Sequence, residues 1–391
     1  MKDILLRVKR FCALLTGITF FVSGLVKLMD PVGAGLVMKE YYNFLHIGFM
    51  AFSSKAMGVA FALAETIVGV ALITGVWRKI TAQITLVMLG FFTLLTLMLV
   101  IFKPEMDCGC FGEALSLTHE ETFRKNIFLL ALMLAYYIPS KHLGETKKKK
   151  YVSFALVTVS VFAFTGYSLR HIPLIDYTAY KIGSELQAKA NVDTDEMYES
   201  VFTYEKEGVT EEFTLEHLPD STWTFVSVDT RLKEGQTEST TELSFYDPVT
   251  EEYKDTLATE GKVMVVSVYE TKTKARQWKK TESFIKRAED AGFNVLLLCT
   301  DTRNVPQEVL DNAYISDYKT LITLNRSNGG VTYFNDGMLI KKWAASNAAD
   351  AEELKEIADS DATETYIETE NKGSLVFQGF LLYVFAVMLL L

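Results

Sequence analysis

FCALLTGITFFVSGLVKLM, residues 11–29, decides the fold class: it is nineteen residues long and carries one charge, Lys27. A bilayer core asks for about 20 mostly apolar residues per helix. The run follows Lys2, Arg7, Lys9 and Arg10, which is also how a cleavable signal peptide opens. No small-x-small site closes it, Cys12 lacks a preceding lipobox, and more apolar runs follow. A retained span is therefore the expectation.

Further runs at residues 49–77, 80–102, 127–138 (extendable back to Thr122), 151–169 and 374–391 predict six spans in all. Composition agrees with a mixed architecture: the 391 residues are 49% hydrophobic, with a mean hydropathy of +0.15. That is high for a soluble chain and too low for one that is membrane throughout. Residues 1–150 hold 17 Lys+Arg against 10 Asp+Glu, a net +7, and the remainder holds 22 against 39, a net −17. The first part is basic and apolar, the second acidic and polar, and the acidic part argues against a nucleic-acid partner.

Three basic clusters flank the spans on one side: Lys2 to Arg10, then Arg78 with Lys79, then Lys141 with Lys147–Lys150. The positive-inside rule makes that side cytoplasmic. Opposite lie the loop after the first span, the segment Asp107-Cys108-Gly109-Cys110-Phe111-Gly112, and the long stretch of about residues 170–373. Arg124 and Lys125 fall on the outer side and are outnumbered. In a bacterium the arrangement is a multi-pass inner-membrane protein with a large periplasmic domain, in a compartment that permits disulfides. With a final span at 374–391, both termini are cytoplasmic and the domain is tethered at both ends.

Two of the four cysteines sit in that outer segment, one residue apart. A disulfide wants Cα atoms roughly 4.4–6.8 Å apart, and Cys-Gly-Cys reaches this through a tight turn that Gly109 permits. A strained, exposed disulfide is a labile, oxidising one. Asp107 is a nearby proton acceptor, although its charge also raises a neighbouring thiol's pKa. Redox exchange, a structural clip, and half of a metal site with His119 all remain open from the residues alone; a closed four-ligand zinc site lacks ligands. Lys27 and Glu65 are ionisable residues in or near apolar spans, where charges usually pair inside a bundle. They are expected to close the bundle beneath the cysteine loop or to bind a small polar headgroup such as a quinone, with snorkelling the simpler reading of Lys27. Cys12, near the cytoplasmic end of the first span, reads as packing.

Phe21-Val22-Ser23-Gly24-Leu25-Val26-Lys27-Leu28-Met29-Asp30-Pro31 resembles the F-x-x-S-G-x-x-K-L-x-D-P opening of the DoxX-like family that includes the methylamine-utilisation protein MauE. Ala64-Glu65 with Gly69, then the Asp107–Gly112 block with its Phe111, then Phe123-Arg124-Lys125-Asn126 follow in that family's order. The resemblance covers about residues 10–140. It implies a four-helix membrane bundle linked to disulfide-dependent maturation of periplasmic proteins.

The chain then divides into a first domain at residues 1–145, a fifth helix at 146–170, a β-rich segment at 171–260, an α/β domain at 261–360 and the last helix. Strand-like pieces fall at 199–204, 222–228 and 242–246, with reversals at Pro219-Asp220-Ser221 and Asp247-Pro248. From Gly261 the order is a strand at 262–269, a helix at 274–291, a strand at 293–299, a short helix near 305–313, a hairpin of 331–335 and 338–343 across Asp336-Gly337, and a helix at 349–358. This order resembles the thioredoxin fold. Where that family carries C-x-x-C, this chain reads Glu270-Thr271-Lys272-Thr273-Lys274-Ala275-Arg276-Gln277-Trp278, and Gly329 stands where the family keeps a cis-proline. Cys299 reads as a core residue. The resemblance thus implies a domain without its own redox centre, suited to holding a partner. Lys272, Lys274, Arg276, Lys279 and Lys280 make a basic patch or a solvated helix start.

Three functions follow as expectations. One is thiol-disulfide exchange through Cys108 and Cys110 with a periplasmic client or thiol-redox partner. A second is a membrane scaffold whose outer domain docks a protein or complex, and a third, resting on Glu65 and Lys27, is a small-molecule or quinone-linked carrier. Lipid surrounds the spans in each case, and beyond a quinone no cofactor or metal is implied. No Ser-His-Asp set, phosphate loop or H-E-x-x-H motif supports a hydrolase.

Overall fold

The computed structural model describes residues 2–104, 106, 108–138, 143, 146–186, 198–206, 209–214, 219, 223–232 and 241–390. Two compact units divide the chain, Met1–Thr178 with Glu368–Leu391, and Ala179–Ile367. Chain order begins with α1 (Lys2–Met29), α2 (Pro31–Phe44), α3 (Ser54–Thr74, entered by a 3-10 turn at Gly48–Ser53), α4 (Arg78–Phe102), β1 (Cys110–Glu113), α5 (His119–Tyr137) and α6 (Lys148–Ser168). Then come β2 (Tyr198–Lys206), β3 (Val209–Thr214), β4 (Thr224–Leu232), β5 (Lys262–Val268), α7 (Ala275–Asp290), β6 (Asn294–Cys299) and β7 (Ala313–Ile315). They are followed by α8 (Tyr318–Leu324), β8 (Gly330–Asn335), β9 (Met338–Trp343), α9 (Ala351–Asp359) and α10 (Ala362–Leu390).

Among the described residues five helical segments are long and apolar enough to cross a membrane: Leu6–Met29, Gly48–Thr74, Arg78–Phe102, Lys148–Ser168 and Ala362–Leu389. The run expected at 127–138 is not among them. Residues 127–138 are the second half of α5, whose first two turns carry Glu120, Glu121, Arg124 and Lys125 and whose start is fixed by a Thr118/Glu121 capping box. The run expected at 374–391 is likewise the end of a longer helix that begins at Ala362.

In the first unit α1 is packed on two sides. Phe21, Leu25 and Leu28 meet Val157 and Val161 of α6 and Val384 of α10, while Cys12 and Phe20 meet Leu72, Leu89 and Met133 of α3, α4 and α5. Lipid is as apolar as leucine, so helices in a membrane associate through close packing rather than the hydrophobic effect. Gly24 makes the closest approach possible: a Cβ there would lie 2.3 Å from Thr66 Oγ1 and 2.6 Å from the Ala62 carbonyl oxygen. At Asp30 the backbone leaves the helical region, and its carboxylate accepts from Gly33 N at 2.9 Å with Pro31 next in the first turn of α2. α1 thus ends and α2 begins without an intervening loop.

The two ends of this unit differ in charge. Arg10 and Arg78 both reach Gly75, Arg78 donates to the Leu143 carbonyl, and Lys150 Nζ donates to the Met388 carbonyl at 2.9 Å. Cys110, whose carbonyl accepts from Ser23 in the second half of α1, lies toward the other end.

In the second unit β2 pairs antiparallel with β3 and β4, giving the order β3-β2-β4. A five-stranded mixed sheet has the order β7-β6-β5-β8-β9: β5, β6 and β7 run parallel, and β8 runs antiparallel to both β5 and β9. α7 buries Trp278, Phe284 and Ile285 against it, α9 buries Leu354 and Ile357, and Cys299 lies in the same core. The β8–β9 reversal uses positive φ at Asp336 (47°) and Gly337 (78°), the requirement of a tight two-residue hairpin. Three expectations need correction. Residues 242–246 form isolated bridges at most, because Phe245 N is taken by the Asp255 carboxylate. The helix expected near 305–313 is a 3-10 turn at Gln307–Asn312 leading into the edge strand β7. α8, started by the Asp317 carboxylate on Thr320 N at 2.9 Å, had no counterpart in the pattern reading.

Candidate functional site

Four residues apart on α1, Ser23 and Lys27 present one face to α3, and Glu65 of α3 meets them. Lys27 Nζ lies 2.8 Å from Glu65 Oε2 and 3.0 Å from Oε1, with side-chain exposures of 16% and 7%. Charges so placed are stable only when paired and further hydrogen-bonded. Ser23 supplies the further contacts. Its Oγ accepts from Lys27 Nζ at 3.3 Å and lies 3.1 Å from Glu65 Oε2 and 2.6 Å from the Cys110 carbonyl oxygen, to which it donates. The ion pair is thus coupled through one hydroxyl to the cysteine loop.

A second anchor comes from α2. Tyr41 donates its hydroxyl to the Cys108 carbonyl at 2.8 Å, and burial, reinforced by the nearby Cys110 and Cys108 thiols, pushes its phenol well above the ordinary value. Gly109, between the two anchored residues, has φ of +61°, and a Cβ there would fall 2.2 Å from Val37 Cγ1. Gly112 also has positive φ, and its N–H donates to the Gly109 carbonyl at 3.3 Å. Phe111 is capped by Lys125, whose Nζ stands 4.8 Å from the ring centroid. Asn126, next along α5, is buried and donates to Thr96 of α4 at 3.3 Å.

Cys108 is buried and Cys110 partly exposed. Both line a cavity of about 350 Å3 together with Ser23, Lys27, Glu65 and Asn126. Its other walls are largely apolar, including Phe61 stacked on Phe91 with centroids 6.3 Å apart. Small-molecule sites have this composition, apolar walls with a few convergent polar groups.

Of the residues singled out in the sequence, Cys108, Gly109, Cys110, Gly112, Lys27 and Glu65 come together here, and Phe111 belongs to the same loop. Asp107 lies outside the described residues. Cys12 is packed among apolar side chains of α1, α3, α4 and α5 and has no part in the cavity. His119 starts α5, and among the described residues no group of three or more His, Cys, Asp and Glu side chains is gathered. Pattern reading assigned no role to Ser23, Tyr41, Val37 or Asn126. Ser23 had a usable signal, its position one turn before Lys27, and Tyr41 follows once Asp30-Pro31 is read as a helix start.

Residues 2–138 match the family described as methylamine utilisation protein MauE, and residues 198–235 match one described as a domain of unknown function, DUF8463. No curated protein and no solved structure matches the chain. Together with its five apolar helical segments, the first match makes this a multi-pass membrane protein with a MauE-like domain over residues 2–138.

Proposed function

We propose that the protein is a thiol-disulfide exchange component of a bacterial inner membrane, with Cys108 and Cys110 as its redox pair on the periplasmic side. The observation that carries this reading is that both cysteines line one cavity with the buried Lys27–Glu65 pair, in a loop held by its backbone carbonyls. The orientation is supported by the basic clusters gathered at the other end of the helices.

In the oxidising direction a client thiolate attacks one sulfur of the Cys108–Cys110 disulfide and gives a mixed disulfide. The second client thiolate then releases the loop dithiol, so the client loses two electrons and the loop gains them. Re-forming the loop disulfide sends two electrons and two protons to an acceptor. A quinone is the class that suits the cavity, with apolar walls for its substituents and the Lys27 ammonium as donor to a ring oxygen.

The five-stranded sheet unit is read as thioredoxin-like, on the strength of its β5-α7-β6 crossover, its β8–β9 hairpin and its closing α9. Its one cysteine, Cys299, is a core residue whose thiol burial pushes up to about 11. That favours a docking role for this unit, and a scaffold without thiol chemistry is the second reading.

Alkylation of native membranes with a mass-tagged maleimide, before and after oxidant and reductant, separates the two. Exchange predicts that Cys108 and Cys110 gain and lose their tags together, and that Cys108→Ser or Cys110→Ser accumulates a mixed disulfide. Tags that respond to neither treatment leave the scaffold.

A further inference from the structure

The exposed side of α7 carries an unbalanced row of cations. Arg276, Lys280 and Arg287 are spaced by four and seven along one face, with Lys279 beside them. Like charges four apart repel and weaken a helix. Among the described residues, no ion pair engages any of the four. Acids are plentiful in this part of the chain, since residues 151–391 hold 39 Asp+Glu against 22 Lys+Arg.

These cations surround a cavity of about 450 Å3, closed on its far side by Gly329, Val331 and the segment at Ala345–Ala348. Its lining also includes Thr281, which is only 3% exposed and whose hydroxyl has no hydrogen-bond partner. The Nε of Arg287 is buried and unpartnered as well. Buried donors are nearly always satisfied in folded proteins, so two of them beside one cavity ask for an acceptor. An apolar occupant leaves both unsatisfied, and a cation is repelled by four like charges.

We propose that this cavity binds a small multivalent phosphate-bearing anion, a diphosphate or a phosphate ester. Tetrahedral phosphate oxygens accept from a hydroxyl and from guanidinium forks at once, which is why arginine recurs wherever phosphate is recognised. A diphosphate places three to four negative charges among the four cations. The volume lies in the ordinary range of small-molecule sites, about 300–1,000 Å3, and leaves room for an organic substituent beyond the phosphates. This site is independent of the cysteine loop and holds whether or not the thiols cycle.

Calorimetric titration of pyrophosphate into the full-length protein in detergent, at about 0.15 M salt to screen diffuse attraction, tests it. Saturable binding to one site is expected, weakened at least about tenfold in Arg276→Gln/Lys280→Gln and in Thr281→Val. Glycerol phosphate should displace pyrophosphate more effectively than citrate does. The two surface substitutions leave the core untouched, so an unchanged melting temperature with unchanged affinity overturns the proposal. So does a wild-type protein without saturable binding, or citrate competing as well as the phosphates.

Discussion

Lys27 and Glu65 face one another across the α1–α3 contact with Nζ 2.8 Å from Oε2, three residues along α1 from the point where Gly24 lets the two helices touch. The pair is largely buried, so removing one partner strands the other. Glu65→Ala should lower unfolding free energy by about 3–5 kcal/mol, whereas Lys27→Met/Glu65→Leu should recover most of it. Denaturant unfolding in detergent reads both, and a double variant no better than the single one contradicts the pairing.

Gly109→Ala adds a Cβ 2.2 Å from Val37 Cγ1 at a residue with positive φ. Overpacking of this kind costs about 1–3 kcal/mol, and the loop should move away from α2. Maleimide labelling of the buried Cys108 is expected to speed up. Adding Val37→Ala removes the clash but not the backbone strain, so labelling should fall back only part of the way.

Tyr41→Phe deletes the donor to the Cys108 carbonyl. A lost hydrogen bond of this sort is worth about 1 kcal/mol, enough to raise amide exchange across residues 108–112 about fivefold. Tyr42→Phe is the control, because its hydroxyl contacts Ser53 rather than the loop. Equal effects from the two substitutions would remove Tyr41 from the anchor.

Cys299 makes the sheet unit sensitive to alkali. Burial raises its thiol from 9.0 to about 11. Between those values the unfolded chain has released the proton and the folded chain still holds it, so stability falls as pH rises from 9 to 11. The loss is roughly 3 kcal/mol across that interval. Below pH 9 both states are protonated and Cys299 contributes no slope. Cys299→Ala should flatten the fall in stability-against-pH curves, and an unchanged curve places the alkaline sensitivity elsewhere.

Periodicity located most of the elements. Long apolar runs mark α1, α3, α4, α6 and α10 by composition alone, and the buried strands β5 and β6 stand out between turn residues. Failures came where local chemistry outweighed pattern. α5 is apolar only in its second half, and four charges in its first turns keep it out of the set of long apolar helices. Residues 242–246 alternate like a strand, yet an Asp255 carboxylate takes the Phe245 amide. The cysteine loop was visible as a motif, and its neighbours Lys27 and Glu65 as charges in apolar surroundings. Its anchors were not, because Ser23 and Tyr41 act on backbone carbonyls, and a carbonyl leaves no trace in a residue pattern.

Those anchors bear on how the loop can evolve. Ser23 and Tyr41 grip the main chain at positions 110 and 108 through its carbonyl oxygens. What the bundle encodes is therefore a pair of places rather than a pair of thiols. Substituting either cysteine should leave an intact loop presenting a different side chain to the same cavity, and a lineage that abandoned sulfur chemistry could keep this architecture without rebuilding it.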